Sequence, residues 1–284
     1  MPAKRQPLDH SGTLQEQVAR NLRNAIEAGV LRDGEVLPST RELAAQWDVS
    51  VFTINEAMKL LAADGMVVSK SRSMRVVQRP EQPFRSEFRP RQPTLFLIGG
   101  YAGSGKTELG RILARESGWP ILDKDTTTRP VVEHALETLG LSPHDRQSDT
   151  YLQQIRPREY DALMATAEEN LQCGVSAIIT APFVKEFRDP AWLKRTQARF
   201  EALGAAVTIV WVRCDPDTML TYLRHRGAAR DTGKLADWKV YLASIDPEWR
   251  PQSPHVLIDN SASSEPLQSQ AKSLLTTALE GATA

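Results

Sequence analysis

The 284-residue chain sets 35 Lys/Arg against 35 Asp/Glu, and its 41% hydrophobic share is ordinary for a globular protein with room for two cores. No apolar run approaches the roughly eighteen residues of a membrane span, and the basic start MPAKRQPLDHSG has no apolar region of the secretory-signal type. Its two cysteines, Cys173 and Cys214, lack metal-ligand spacing, so buried thiols in a reducing cytoplasm are expected.

From the N-terminus, Leu14, Val18, Leu22 and Ile26 recur at four-residue steps and predict a helix over 13–28, with Gly29 as its C-cap. After the turn Arg32-Asp33-Gly34, Ser39 is an N-cap and Glu42 completes a capping box. A short helix over 40–47 then buries Leu43, Ala44 and Trp47. Asp48-Val49-Ser50 turns the chain into a helix over 51–63, with Ile54, Ala57, Met58 and Leu61 inward. Asp64-Gly65 ends that helix, and residues 66–77 alternate as a two-stranded wing. Helix, short helix, tight turn, helix, hairpin is the winged helix-turn-helix plan. Its second turn helix lies in the major groove of double-stranded DNA.

Gln17-Val18-Ala19-Arg20, Gly34-Glu35, Leu37-Pro38-Ser39-Thr40-Arg41-Glu42-Leu43-Ala44, Val49-Ser50, Glu56-Ala57, Leu60 and Gly65 together resemble the GntR-type DNA-binding domain over about residues 12–78. The resemblance implies an operator as partner, and a homodimer is expected because such operators are two-fold. Ser39, Arg41, Ser50 and Thr53 are the candidate contacts. Asn55 suits an adenine edge, and Lys70, Arg72 and Arg75 suit phosphates. The pattern departs from that family at Val51 and Asn55, where arginines are usual, and at Ser71, Arg72 and Ser73, where the wing usually has glycines. A module kept for dimerisation or protein contacts is the competing reading. Residues 70–91 carry seven Lys/Arg against two Asp/Glu, which suits either a phosphate backbone or a solvated linker.

Pro80, Pro83, Pro90 and Pro93 make 79–93 an extended linker between a first domain over 1–78 and a second over 94–284. Beyond it, short apolar strands are expected at 95–99, 120–122, 176–180, 207–212 and 255–258. They alternate with helices at 108–117, 131–139, 157–173, 192–203, 216–225, 237–242 and 266–279. The fold class is therefore α/β in two domains: a small winged helix-turn-helix, then a P-loop α/β/α domain with a parallel sheet and ligands at its carboxyl edge.

Gly100-x-x-x-x-Gly105-Lys106-Thr107 sits between the first of these strands and a helix, the context of a phosphate-binding P-loop. Gly100, Gly103, Ser104 and Gly105 would turn backbone N–H groups around the phosphates of ATP. Lys106 would reach the β- and γ-phosphates, and Thr107 would ligate Mg²⁺. In Asp123-Lys124-Asp125, at the end of the second strand, Asp123 is the candidate metal ligand and Asp125 the candidate proton acceptor from an attacking hydroxyl. The third strand ends at Thr180 with no acid, so the metal is held from the second strand or turnover is poor. In LRHRGAARD, Arg224 is a candidate nucleotide contact. Arg226 and Arg230 are candidates for neutralising the transferring phosphoryl group, on a segment that Gly227 frees to close. Arg146 is a candidate for gripping an anionic substrate, and His144 has no assigned role.

The P-loop, Asp123-x-Asp125, Ala181-Pro182-Phe183, the arginine segment and the final strand together resemble small P-loop kinase-like enzymes over about residues 94–262. Zeta-toxin-like and chloramphenicol-phosphotransferase-like proteins are similar in layout. This resemblance implies an ATP–Mg²⁺ site and a phosphate-acceptor pocket. The first expectation is a transcriptional regulator that senses nucleotide or a metabolite. The alternatives are a small-molecule kinase with an accessory module, and a nucleotide-binding scaffold with neither activity.

Overall fold

The computed structural model describes residues 13–71, 74–78, 92–227 and 231–281. The first domain contains α1 (Leu14–Glu27), α2 (Thr40–Trp47) and α3 (Val51–Ala63), followed by the antiparallel pair β1 (Val67–Ser69) and β2 (Arg75–Val77). Local chemistry fixes each helix start. Thr13 with Glu16, and Ser39 with Glu42, form reciprocal capping boxes, while the Ser50 hydroxyl accepts from the Thr53 N–H at 3.0 Å. Asp48, at φ 53°, makes the left-handed corner between α2 and α3. Val18, Leu22, Ile26, Leu43, Trp47, Ile54, Met58, Leu61 and Val77 close one core. Leu14 departs from its expected stripe: it is 50% exposed in the first turn, so the buried face begins at Val18.

The second domain is built on β3 (Thr94–Gly99), β4 (Ile121–Asp123), β5 (Ala177–Thr180), β6 (Ala206–Arg213) and β7 (Val256–Asp259). They form a five-stranded sheet in the order β4-β5-β3-β6-β7, with every neighbouring pair parallel. All of β3 is buried, and its alternate residues feed opposite faces. Leu95 and Leu97 join Phe183, Phe200 and Trp211 on one side; Phe96 and Ile98 join Ile112, Val212 and Leu275 on the other. The covering helices are α4 (Lys106–Ser117), α5 (Lys124–Thr138), α6 (Arg156–Gln172), α7 (Pro190–Glu201), α8 (Pro216–Arg226), the short α9 (Thr232–Ala236) and α10 (Trp238–Ala243), and α11 (Leu267–Gly281). A π-turn, Tyr151–Ile155, leads into α6. Because β3 lies between β5 and β6, the phosphate-loop segment leaves the sheet at its centre, at the carboxyl edge.

Two expectations need correction. The helix expected from 131 begins at Lys124 and passes through Pro130. Asp123 caps it through Thr126 N–H at 2.9 Å, and a buried Lys124–Glu159 pair pins its first turn, so the proline does not end it. Cys173 is exposed, whereas Cys214 is buried as expected.

Gly110 sets the distance between α4 and the sheet. A Cβ there would come 2.6 Å from Thr180 Cγ2 and 2.8 Å from Ile121 Cδ1. Gly110→Ala gains about 1 kcal/mol of helix propensity but overpacks a site where such strain costs about 1–3 kcal/mol. The expected result is a lower urea midpoint and a net loss of up to about 2 kcal/mol; an unchanged or raised midpoint would show that the strands yield.

Candidate functional site

The segment 100–105 joins β3 to α4 and curls over the carboxyl edge of the sheet. Gly103 and Gly105 have φ of +82° and +93°, where L side chains are strained. A Cβ on Gly103 would also meet the Met219 carbonyl at 2.8 Å, and one on Gly105 would meet Asn260 Nδ2 at 2.2 Å. These two positions admit only glycine, and they lead directly into the N-terminus of α4, whose first N–H groups have no intrahelical partner. Lys106 Nζ donates to the Tyr101 carbonyl at 2.7 Å. Burial, reinforced by the positive charge of Arg226, holds the Lys106 pKa down to about 8. An ammonium so desolvated gains more from a phosphate than an exposed one would.

Asp123 answers the question raised by the missing acid on β5. It pairs in register with Thr180, and its Oδ2 accepts from Thr180 Oγ1 at 2.7 Å and from Thr107 Oγ1 at 3.1 Å. The carboxylate therefore reaches the end of β5 from the adjacent strand. Hard oxygens from Thr107 and Asp123 converge beside the phosphate loop, a donor set that fits Mg²⁺ completing its shell with phosphates and water. Among the described residues no three His/Cys/Asp/Glu side chains cluster as a metal cage.

On the far side of Lys106 lies a cavity of about 340 Å³ whose lining includes Asp123, Asp125, Arg146, Arg156, Arg226 and Lys234. Asp125 is ion-paired at 3.0 Å to Lys124, whose buried ammonium also meets Glu159 at 2.8 Å. Thr128 and Tyr151 donate to the same Glu159 carboxylate, so its buried charge is fully paired. Burial, then the Glu159 hydrogen bond and charge, push the Tyr151 hydroxyl far above its ordinary pKa and keep it a donor. Arg156 lies over the Tyr160 ring at 4.4 Å and pairs with Glu186 at 2.7 Å. Burial pushes the Asp231 pKa up, but Arg226 and Lys234 outweigh it and hold the carboxylate low. Arg226 is thus tethered to Asp231 while lining this cavity. Arg224 is exposed on the last turn of α8, and Arg230 lies outside the described residues. Sequence reasoning gave no role to Tyr151, Lys234 or Glu159, because only the tertiary fold brings the π-turn and α9 to this cavity and Glu159 of α6 onto Lys124.

The first domain docks on the same edge. Arg20 is buried and donates to the backbone carbonyls of Asp259, Ser264 and Glu265, and to Asn260 Oδ1 at 3.3 Å. Asn24 Nδ2 donates to Tyr222 Oη at 2.7 Å and to Asn260 Oδ1 at 3.3 Å, while Asn260 Nδ2 donates to the Ser104 carbonyl. Trp47 stacks on His225 of α8 at 3.8 Å. A second cavity, of about 310 Å³, is therefore walled by both domains, from Asn21, Ala25 and Val30 to Gly105, Lys106 and Tyr222. Apart from Arg20, which closes the GntR-like stretch Gln17-Val18-Ala19-Arg20, the α1 residues at this seam drew no assignment from the sequence.

The proposed DNA contacts sit elsewhere. Ser39, Arg41, Ser50 and Lys70 are exposed, Thr53 is half-buried, and Phe52 on the outer face of α3 is 69% exposed. Arg75 donates to Thr40 Oγ1 at 2.7 Å and to Asn55 Oδ1 at 3.1 Å, tying wing, α2 and α3 together. Arg72 lies outside the described residues. Among the described residues no helix is long and apolar enough to cross a membrane.

Residues 14–77 match the family described as bacterial regulatory proteins, gntR family, and residues 95–247 match the family described as AAA domain. A shikimate kinase from Moorella thermoacetica is 30% identical over 132 residues, covering 45% of this chain and 62% of that enzyme, less than two thirds of its length. Among solved structures, a gluconokinase from Sinorhizobium meliloti is 15% identical with a TM-score of 0.44, over 68% of this chain and 97% of that one. The shikimate kinase from Acinetobacter baumannii is 16% identical with a TM-score of 0.41, over 69% and 97%.

Proposed function

We propose that this chain, which belongs to the AAA-domain family and carries a GntR-family regulatory domain at its N-terminal end, is a cytoplasmic transcriptional regulator whose kinase-like domain binds ATP–Mg²⁺ and adjusts operator affinity. The observation that carries this reading is the placement of Arg20 and Asn24. They fasten the winged helix to Asn260 and, through it, to the Ser104 carbonyl of the phosphate loop. A ligand in that loop therefore acts on groups that also hold the DNA-binding domain, as linkage between two sites requires. The exposed Ser39, Arg41, Ser50 and Lys70, with Thr53, Asn55, Arg72 and Arg75, are the proposed DNA contacts. A homodimer on a two-fold operator is the proposed assembly.

A second reading, ATP-dependent phosphorylation of a small molecule, is favoured by the cavity beyond Lys106. There Asp125 faces a space lined by Arg146, Arg156 and Lys234, suited to an anionic hydroxy compound. In that case Asp125 takes the hydroxyl proton, while Lys106, Arg226 and Arg230 steady the phosphoryl oxygens.

One experiment tests both readings. Anisotropy with DNA from the upstream region of the gene is measured at two salt concentrations, with and without ATP–Mg²⁺, while ATP consumption is followed across a panel of hydroxylated carboxylates. Salt-sensitive binding that shifts by about fivefold or more with nucleotide is expected. Absence of DNA binding sinks the regulator. Fast phosphoryl transfer with no nucleotide effect on DNA binding makes the second reading the function.

A further inference from the structure

Asn21, on α1, is only 4% exposed, yet neither its Nδ2 nor its Oδ1 has a hydrogen-bond partner. Leaving both ends of a buried amide unmade costs about 1–3 kcal/mol per group, so such a side chain is rare without a ligand. Its neighbour Asn24 also has a free Oδ1, although its Nδ2 is engaged. Asn21 lines the same cavity as Gly103, Gly105 and Lys106, with Ala25 and Val30 as apolar walls. Phosphate-binding groups and a buried asparagine with an unpaired amide, beside apolar residues, line this one cavity together, which fits a phosphorylated ligand with a flat, hydrogen-bonding end. The cavity volume, about 310 Å³, is in the range of small-molecule sites.

An asparagine amide presents one donor face and one acceptor face side by side. The edge it matches is an exocyclic amine beside a ring nitrogen, the N6/N7 edge of adenine. Guanine presents two acceptors at that edge and would leave the amide oxygen unpaired. We propose that Asn21, a residue of the winged-helix domain, reads the base edge of the nucleotide whose phosphates lie in the 100–107 loop, and selects adenine over guanine. The nucleotide site is then composite: the kinase-like domain holds the phosphates and the DNA-binding domain recognises the base. Base recognition is thereby the step that ties nucleotide occupancy to the position of α1. This rests on the proposed nucleotide site at the loop.

The test uses the full chain and isothermal titration with ATP–Mg²⁺, GTP–Mg²⁺, purine riboside triphosphate, which lacks the exocyclic amine, and inorganic tripolyphosphate. Wild type is expected to bind ATP about tenfold more tightly than GTP or the deaminated analogue, the scale of one bidentate base contact. Asn21→Ala and Asn21→Leu should lose that preference, bind ATP and the analogue equally, and keep their affinity for tripolyphosphate. The analogue comparison on wild type needs no variant to fold. Equal wild-type affinity for ATP and the analogue overturns the role of Asn21, as does ATP affinity unchanged in both variants; intact tripolyphosphate binding would then leave the phosphate site standing. If wild type binds neither ATP nor tripolyphosphate, the phosphate-site reading fails, and the base-reading role falls with it.

Discussion

Lys106→Ala is expected to abolish measurable ATP binding and, with it, any response of DNA affinity to nucleotide. The side chain is half-buried and held on the Tyr101 carbonyl with its pKa brought down to about 8 by desolvation, so the folded apo protein already bears part of the cost of desolvating an ammonium there. A triphosphate compensates that cost with charge-assisted hydrogen bonds, roughly twice as strong as neutral ones. Removing one partner of a desolvated charge pair costs about 3–5 kcal/mol, which weakens nucleotide binding by about a hundredfold to a few thousandfold. The apo fold should not suffer, because alanine removes a desolvated charge and leaves the loop glycines in place. Thermal melts give a direct readout. Wild type at a hundredfold excess of ATP–Mg²⁺ over its dissociation constant should gain about 2.7 kcal/mol, and the variant at the same concentration no more than about 0.4 kcal/mol. The DNA-binding domain should fold and bind as before. A nucleotide response that survives in Lys106→Ala would show that the ligand sits elsewhere.

Arg20→Ala should uncouple the two domains. The guanidinium supplies hydrogen bonds to four acceptors in the 259–265 segment: three backbone carbonyls and Asn260 Oδ1. Burial lowers its pKa below the ordinary guanidinium value, a sign of the desolvation cost that these bonds must exceed. Alanine leaves the four acceptors without their donor. With each charged hydrogen bond worth about 1.5–3 kcal/mol, and water recovering part of the loss, we expect the docked arrangement to weaken by about 3 kcal/mol, or about a hundredfold. Calorimetry should then resolve two transitions where wild type shows one, the winged helix melting first. A single transition at the wild-type temperature would mean that the Trp47–His225 stack and the Asn24 bonds suffice to hold the domains together. Arg20→Lys should recover little, because an ammonium lacks the planar fork that reaches several carbonyls at once.

Much of this architecture is legible in the residues. Ser39 with Glu42, and Ser50 before an apolar-periodic run, locate α2 and α3, because capping is a local interaction between neighbours in the chain. The phosphate loop is legible for the same reason: its glycines, lysine and threonine act within one turn. Where the outcome depends on distant partners, the residues mislead or stay silent. The helix expected from 131 begins at Lys124, and the Asp123 cap with the Lys124–Glu159 pair explains why it runs through Pro130. Asp123 reads as a strand-end acid, but its service to the end of β5 depends on pairing with Thr180 fifty-seven positions away. The polar face of α1 is the largest omission. Arg20, Asn21 and Asn24 resemble solvated residues until the second domain covers them, since the second buried face of α1 is polar and leaves its periodicity that of a helix with one apolar face.

That second face has a thermodynamic consequence. The seam between the domains is largely polar, built from Arg20, Asn24, Asn260, the Tyr222 hydroxyl and carbonyl oxygens, with Trp47 over His225 as its main ring contact and the small Ala28 packed into the second core. Opening it exposes groups that water can satisfy at once and releases little apolar surface, so separation should carry a small heat-capacity change and little tendency to aggregate. A leucine-lined seam would be a weld. This one is a latch, and a single small molecule across it has enough free energy to decide whether it is shut.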